Sequence, residues 1–263
     1  TTTYARVVSH NDFPADAGVA SSASAFAALS LAAVTALGLS LSRQALSILA
    51  RKGSGSACRS VPDGFVEWLP GWDDTSSYAR SLAPCDHWDL RVVTVTFPGR
   101  AKKVPSLVGH RAARTSPFYR IRLHEVMGNL VAARAAILDR DFGSLSALVE
   151  REALALHAVA LTSQPESLPW LNGILYFAPE TVQVLAAVPD WRRGGLPVGY
   201  TLDAGPSVHL ICEAVHLDAL RAAVDTLDLA TAPTLIVSRP GRGAWLVKDD
   251  DGAEAPSDPS CTS

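Results

Sequence analysis

The sequence predicts a mixed α/β protein in two halves, and three observations carry that expectation. Tyr4 to Ser9 alternates like a strand, and leads through a small-residue loop, Asn11–Gly18, into a helical run from Ser21 to about Leu37. The β-branched run "LRVVTVTF", Leu90 to Phe97, has the character of a central strand. Beyond Lys102 the texture changes, and Pro117–Arg140 and Phe142–Leu161 show the apolar spacing of two long helices.

The remaining elements follow in chain order. A second helix, Ser42 to Arg51, stops at "KGSGSACRS", where glycines and serines crowd a turn. "GFVEW" has the pattern of a strand, and "VGYTLDAGPSVHLIC" reads as two strands around a Gly-Pro turn. A helix over Leu217–Leu229 and a strand over Thr234–Ser238 come next, and the polar tail "KDDDGAEAPSDPSCTS" is expected to fray.

Composition narrows the function classes. The 263 residues exceed the usual domain of about 100 to 200 residues, so one large or two medium domains are expected, and 48% hydrophobic with 19% charged residues suits a folded core. A net charge of −3 argues against non-specific nucleic-acid binding, but leaves room for a small anion held by local donors. Cys58, Cys85, Cys212 and Cys261 form no C-x-x-C pair, so no structural metal is expected, and free thiols in a reducing cytoplasm are the simplest reading. The most apolar stretch, Ala23–Leu41, is interrupted by Ser24, Ser30, Thr35 and Gly38, which fits a buried helix and no membrane span. The chain starts at Thr1, already inside an apparent strand, and an upstream piece is therefore expected.

The stretch "NDFPADAGVASSASAF" admits two readings. Small side chains let a helix lie close to a sheet. Equally, a glycine-bearing loop opening onto a helix N-terminus offers backbone N–H groups and the positive helix end to a phosphate.

Three segments, "FPADAGVASSAS", "GSGSACRSVPDGFVEW" and "YTLDAGPS", together resemble the mevalonate diphosphate decarboxylase group of the GHMP kinase superfamily, with "LHAVAL" at Leu156–Leu161 as a weaker match. The resemblance covers nearly the whole chain, and the order and spacing of the segments agree. It implies a GHMP kinase-like fold: an N-terminal ribosomal-protein-S5-like ATP-binding domain lacking its first strands, residues 1–103, and a C-terminal ferredoxin-like α/β domain, residues 104–263. It also implies ATP and Mg²⁺ as cofactors, a small mevalonate phosphate as substrate, cytoplasmic location and a homodimer.

The site residues follow from the same resemblance. Gly18, Ala20, Ser21 and Ser22 would bind the nucleotide phosphates, where a bare serine-rich turn would otherwise be only turn chemistry. Arg59 would hold the substrate carboxylate in a bidentate fork, although a lone arginine is usually a surface group. Ser54, Ser56 and Ser106 would be substrate contacts. Asp203, by itself a turn former beside Gly-Pro, matches the family's catalytic aspartate, which sits against the substrate's tertiary hydroxyl.

Departures from the family pattern bear on the substrate. Leu107 stands where the diphosphate enzymes have a polar or basic contact, and losing a charge-assisted hydrogen bond costs about 1.5 to 3 kcal/mol. Thr162 replaces a usual Asp, Ser207 a usual Asn, and Asp16 a usual Ala in the phosphate loop. Leu107, Thr162 and Ser207 resemble the relatives that act on mevalonate 5-phosphate and make isopentenyl phosphate, which places that reaction ahead of diphosphate decarboxylation, whereas Asp16 is awkward beside polyphosphate and bears on nucleotide affinity. The family's K-Y-W-G-K-like motif has no match in this chain, so the chain alone is expected to be inactive. A kinase that stops after phosphorylation and a noncatalytic binding relative are the rivals.

Overall fold

In a computed structural model of the chain, residues 4–11, 21–100 and 102–247 are described. The fold is mixed α/β with two sheets, as expected. It divides into two compact units: residues up to Pro84 together with those from Gly241 onward, and Cys85–Pro240. The expected boundary at Lys103 cut behind a strand that belongs to the second unit.

The first unit is built on two helices, α1 (Ser21–Ala36) and α2 (Arg43–Gly53). Ser42 caps α2 by accepting from the N–H of Ala45 at 3.1 Å. Ala27 and Val34 of α1 meet Leu46 and Ala50 of α2 and Ala57 and Val61 just beyond them. The small residues of α1 thus do serve close packing. At the C-terminus of α2, a Cβ on Gly53 would fall 2.1 Å from the Phe26 ring, so only glycine lets the two helices approach there. A 3₁₀ helix (Gly55–Ser60) follows, then the antiparallel pair β1 (Phe65–Trp68) and β2 (Ala79–Ala83). The final described segment returns to this unit: Ala244 N–H donates to Ser60 O at 2.9 Å, and Arg43 donates to the carbonyls of Val61 and Ala244.

Residues 4–10 form no strand, against expectation. Tyr4, Val7 and Val8 are strongly exposed and no strand among the described residues pairs with them, so their backbone groups enter no ladder there. The polar tail from Lys248 lies outside the described residues.

The second unit holds a four-stranded antiparallel sheet of β3 (Leu90–Thr96), β4 (Gly199–Leu202), β5 (Val208–Glu213) and β6 (Thr234–Ser238), in the spatial order β4-β5-β3-β6. Counted within the unit this is 4-1-3-2, the split βαβ arrangement of a ferredoxin-like domain. Between β3 and β4 run α3 (Ser106–Ala112), α4 (Tyr119–Leu138), α5 (Phe142–Leu161) and α6 (Pro179–Arg193), and α7 (Leu217–Asp225) precedes β6. One face of the sheet, with Val93, Val95, Val208, Leu210 and Cys212, packs against Val184 and Val188 of α6 and Leu220 and Val224 of α7. Val93 and Val95 are fully buried, which explains the β-branched run. Helix α7 ends at Asp225 rather than Leu229.

Cys58 and Cys212 are free and buried, whereas Cys85 is disulfide-bonded, against the expectation of reduced thiols throughout. No helix among the described residues is long and apolar enough to cross a membrane.

Candidate active site

In the first unit the serine-rich segments converge. Ser21 and Ser22 form the first turn of α1, where helical N–H groups lack intrahelical acceptors. Ser22 Oγ lies 3.2 Å from Ser54 Oγ, which lies 3.5 Å from Ser56 Oγ. Three hydroxyls from two distant segments therefore gather at a positive helix end, a donor set that suits phosphate oxygens. Gly18 and Ala20, predicted to share this role, and Asp16 lie outside the described residues. Among the described residues no three His, Cys, Asp or Glu side chains group as a metal cage.

Arg59 sits on the 3₁₀ helix beside this cluster in sequence, exposed, with no partner for its guanidinium among the described residues. Its backbone is held firmly. Ser47, fully buried on α2, donates to the carbonyl of Cys58 at 3.0 Å and accepts from the N–H of Ala79 at 2.9 Å, tying α2, the 3₁₀ helix and β2 together. Cys58 Sγ donates to Gly55 O, and burial pushes its thiol pKa up despite the Arg59 charge nearby.

Asp203 and Ser106 belong to the second unit. Asp203 ends β4 on the "DAGPS" loop, its side chain 65% exposed. The loop is anchored from behind: Gly205 N–H donates to Asp203 O at 2.8 Å, and the buried Thr181 of α6 donates its hydroxyl to Pro206 O. Two imidazoles flank it, one buried and one half-buried. His157 of α5, 2% exposed, packs against Phe177 with tilted rings whose centroids are 4.5 Å apart. Burial lowers its pKa to about 4, while the backbone and charge of Asp203 pull upward. The "LHAVAL" match thus carries an imidazole to the Asp203 loop. His209 of β5 has its Nε2 3.9 Å from Asp203 Oδ2.

Sequence reasoning missed a cationic cavity of about 330 Å³ in the same unit, lined by Arg100, Lys102 and Lys103 on the β3–α3 connection and by Tyr176, Phe177 and Pro206 opposite. Lys102 Nζ donates to Ser106 Oγ at 3.2 Å, so the predicted Ser106 stands at the edge of a basic segment. Arg100 is committed elsewhere: it pairs at 2.8 Å with Glu180, fully buried at the start of α6, and its hydrogen bond holds that carboxyl below the usual range. The adjacent Lys-Lys pair was the signal available in the sequence. Leu107, next to Ser106, is exposed and apolar, and Thr162 hydrogen-bonds Ser116 rather than facing substrate chemistry as an acid could.

Residues 1–79 match the diphosphomevalonate decarboxylase-like N-terminal domain, and residues 92–236 the mevalonate 5-diphosphate decarboxylase C-terminal domain. Similar relatives include the diphosphomevalonate decarboxylase of Homo sapiens, 39% identical over 206 residues, covering 76% of this chain and 50% of the relative. That of Ganoderma lucidum is 35% identical over 222 residues, covering 80% and 54%. The phosphomevalonate decarboxylase of Haloferax volcanii is 31% identical over 227 residues, covering 86% and 67%. The chain thus spans about half the length of the first two. Among solved structures, mevalonate diphosphate decarboxylase from Staphylococcus aureus aligns with TM-score 0.78 at 37% identity, over 88% of this chain and 68% of that one. A structure described as MDDEF in complex with MVAPP, AMPPCP and magnesium aligns with the same score at 35% identity and the same coverage. With both of its domain sequences matched and its fold shared at this level, the chain belongs to the mevalonate diphosphate decarboxylase family of the GHMP kinase superfamily.

Proposed function

We infer that the protein takes part in ATP- and Mg²⁺-dependent decarboxylation of mevalonate 5-diphosphate, yielding isopentenyl diphosphate, ADP, phosphate and CO₂. The observation that carries this reading is an exposed carboxylate, Asp203, on a loop fixed by Thr181 and bordered by two imidazoles, on the motif where the family keeps its catalytic acid. Bound Mg²⁺–ATP would supply the phosphoryl group that turns a poorly leaving tertiary hydroxyl into a good leaving group. In this reading Asp203 accepts the proton of that hydroxyl, and its negative charge favours the carbon from which phosphate departs. Arg59 holds the substrate carboxylate in place. As the C–O bond to phosphate breaks, the electron pair of the carboxylate's C–C bond forms the alkene and CO₂ leaves. Ser21, Ser22, Ser54 and Ser56 offer hydroxyls and N–H groups to phosphate oxygens and the substrate, and Ser106, with Lys102 and Lys103, offers donors at the second anionic end. The cytoplasm and a homodimer accompany this reading as expectations.

The comparisons reverse the order of substrates that Leu107 suggested, because most of the similar relatives act, by their names, on the diphosphate. The monophosphate remains a second reading on two specific grounds. Leu107 offers no hydrogen bond beside Ser106, and a phosphomevalonate decarboxylase matches the chain over its largest aligned stretch among these relatives.

The test is CO₂ and ADP release by the full-length protein from each mevalonate phosphate, with titration calorimetry of Mg²⁺–ATP and both substrates. Asp203→Asn should abolish turnover, a loss of at least about 10³-fold, while nucleotide affinity stays within a few-fold. CO₂ release at the unmodified rate from that variant, or no binding of any of the three ligands to the protein, would overturn the reading.

A further inference from the structure

β5 sends alternate side chains to opposite sides of its sheet. Val208, Leu210 and Cys212 enter the core, whereas His209 points to the other side, in register between Thr94 of β3 and Thr201 of β4. Its side chain is 13% exposed. Nδ1 lies 2.9 Å from the Thr94 hydroxyl, and Nε2 is sealed from solvent without a hydrogen-bond partner. The acid facing Nε2 is Asp203, whose Oδ2 is 3.9 Å away.

That separation is too long for a hydrogen bond and too short to be incidental. The two groups also differ in freedom. The imidazole is clamped between strands and by Thr94, while the Asp203 carboxylate is largely in solvent and free to rotate onto it.

We propose that His209 is a positioning residue for Asp203: Nδ1 accepts from the Thr94 hydroxyl, so Nε2 carries the hydrogen and donates it to Oδ2, fixing the orientation of the carboxylate. The inference rests on the reading of Asp203 as the group that meets the substrate hydroxyl. Thr94, Thr201 and Asp203 face the ring from β3, β4 and the β4–β5 loop, and Asp203 is the charged group whose field acts on it. Burial holds the ring pKa below the ordinary histidine value, against the pull of Asp203, so the donor is neutral at pH 7. A neutral donor orients a carboxylate without suppressing its basicity as a full cation would.

Two measurements test this, one of them independent of turnover. In ¹⁵N NMR of histidine-labelled protein, His209 should be the Nε2–H tautomer. Asp203→Asn should lower its pKa, because an anion that favoured the cation is gone. Thr94→Val should raise the share of the Nδ1–H form. In kinetics, His209→Leu should lower kcat about 10- to 100-fold, as loss of orientation does, with the nucleotide KM within twofold. His209→Gln, whose amide nitrogen can take the place of Nε2, should recover most of that loss, which a merely structural role would not produce. An Nδ1–H tautomer, a His209 pKa unmoved in Asp203→Asn, or unchanged kcat in His209→Leu while Asp203→Asn is inactive would overturn the proposal. Full turnover in Asp203→Asn would instead overturn the catalytic reading of the acid and leave the tautomer and pKa results to judge the contact itself.

Discussion

Thr181, in the first turn of α6, donates its hydroxyl to the carbonyl of Pro206 and accepts from the N–H of Ala178 at 3.0 Å. A single buried oxygen therefore caps one helix and anchors the loop that presents Asp203. Thr181→Val keeps the shape but strands both backbone groups in the core. Each buried unsatisfied group costs about 1–3 kcal/mol, so urea denaturation should show a loss of at least about 2 kcal/mol, and Thr181→Ser should lose about 1 kcal/mol or less. A valine variant as stable as the unmodified protein would mean that the loop is held by other contacts.

Leu107 is the position at which the two substrate readings can be told apart. An arginine introduced there, exposed on α3 and next to Ser106 and the Lys102 side chain, adds a charge-assisted donor. Such a contact is worth about 1.5–3 kcal/mol, so Leu107→Arg should move the ratio of kcat/KM for diphosphate over monophosphate upward by about 10- to 100-fold. An unchanged ratio in side-by-side assays would remove Leu107 as a determinant.

His157 links stability to pH. Its folded pKa, about 4, lies below the ordinary histidine value of 6.5, so the unfolded chain binds more protons between those values. The stabilisation is complete above pH 6.5 and is lost as pH falls toward 4, amounting to roughly 3 kcal/mol over the full window. His157→Phe, which keeps an aromatic ring against Phe177, should flatten the stability profile between pH 6.5 and 4. An equally steep decline in that variant would assign it to other groups.

Gly173 lines the cationic cavity with φ of +100°, and a Cβ there would fall 2.2 Å from the backbone oxygen of Leu161. Backbone cannot move aside as a flexible side chain can. Gly173→Ala should therefore cost at least about 2 kcal/mol, since overpacking adds to left-handed strain. A smaller change in thermal unfolding would show that the α5–α6 connection can relax.

Local pattern alone determined much of this protein. The β-branched run of β3, the uninterrupted periodicity of α5, the hairpin around Gly205-Pro206 and the order of the glycine- and serine-rich segments all report short-range preferences that survive folding. The second sheet's strands and the family follow from them. Helix α6 was illegible because Pro179 and Pro189 read as breakers; Pro179 occupies the first turn, where no N–H is needed, and burial of Val184 and Val188 outweighs the bond lost at Pro189. The short β2 and α3 carry too few residues for a period to show. Tertiary structure alone decided that Thr94 and His209, 115 residues apart, share a hydrogen bond, that Thr181 reaches Pro206, and that two lysines join Tyr176 around one cavity. Periodicity specifies which face of an element is buried; which residues meet across those faces depends on how non-adjacent elements pack, and that information is spread over the whole chain.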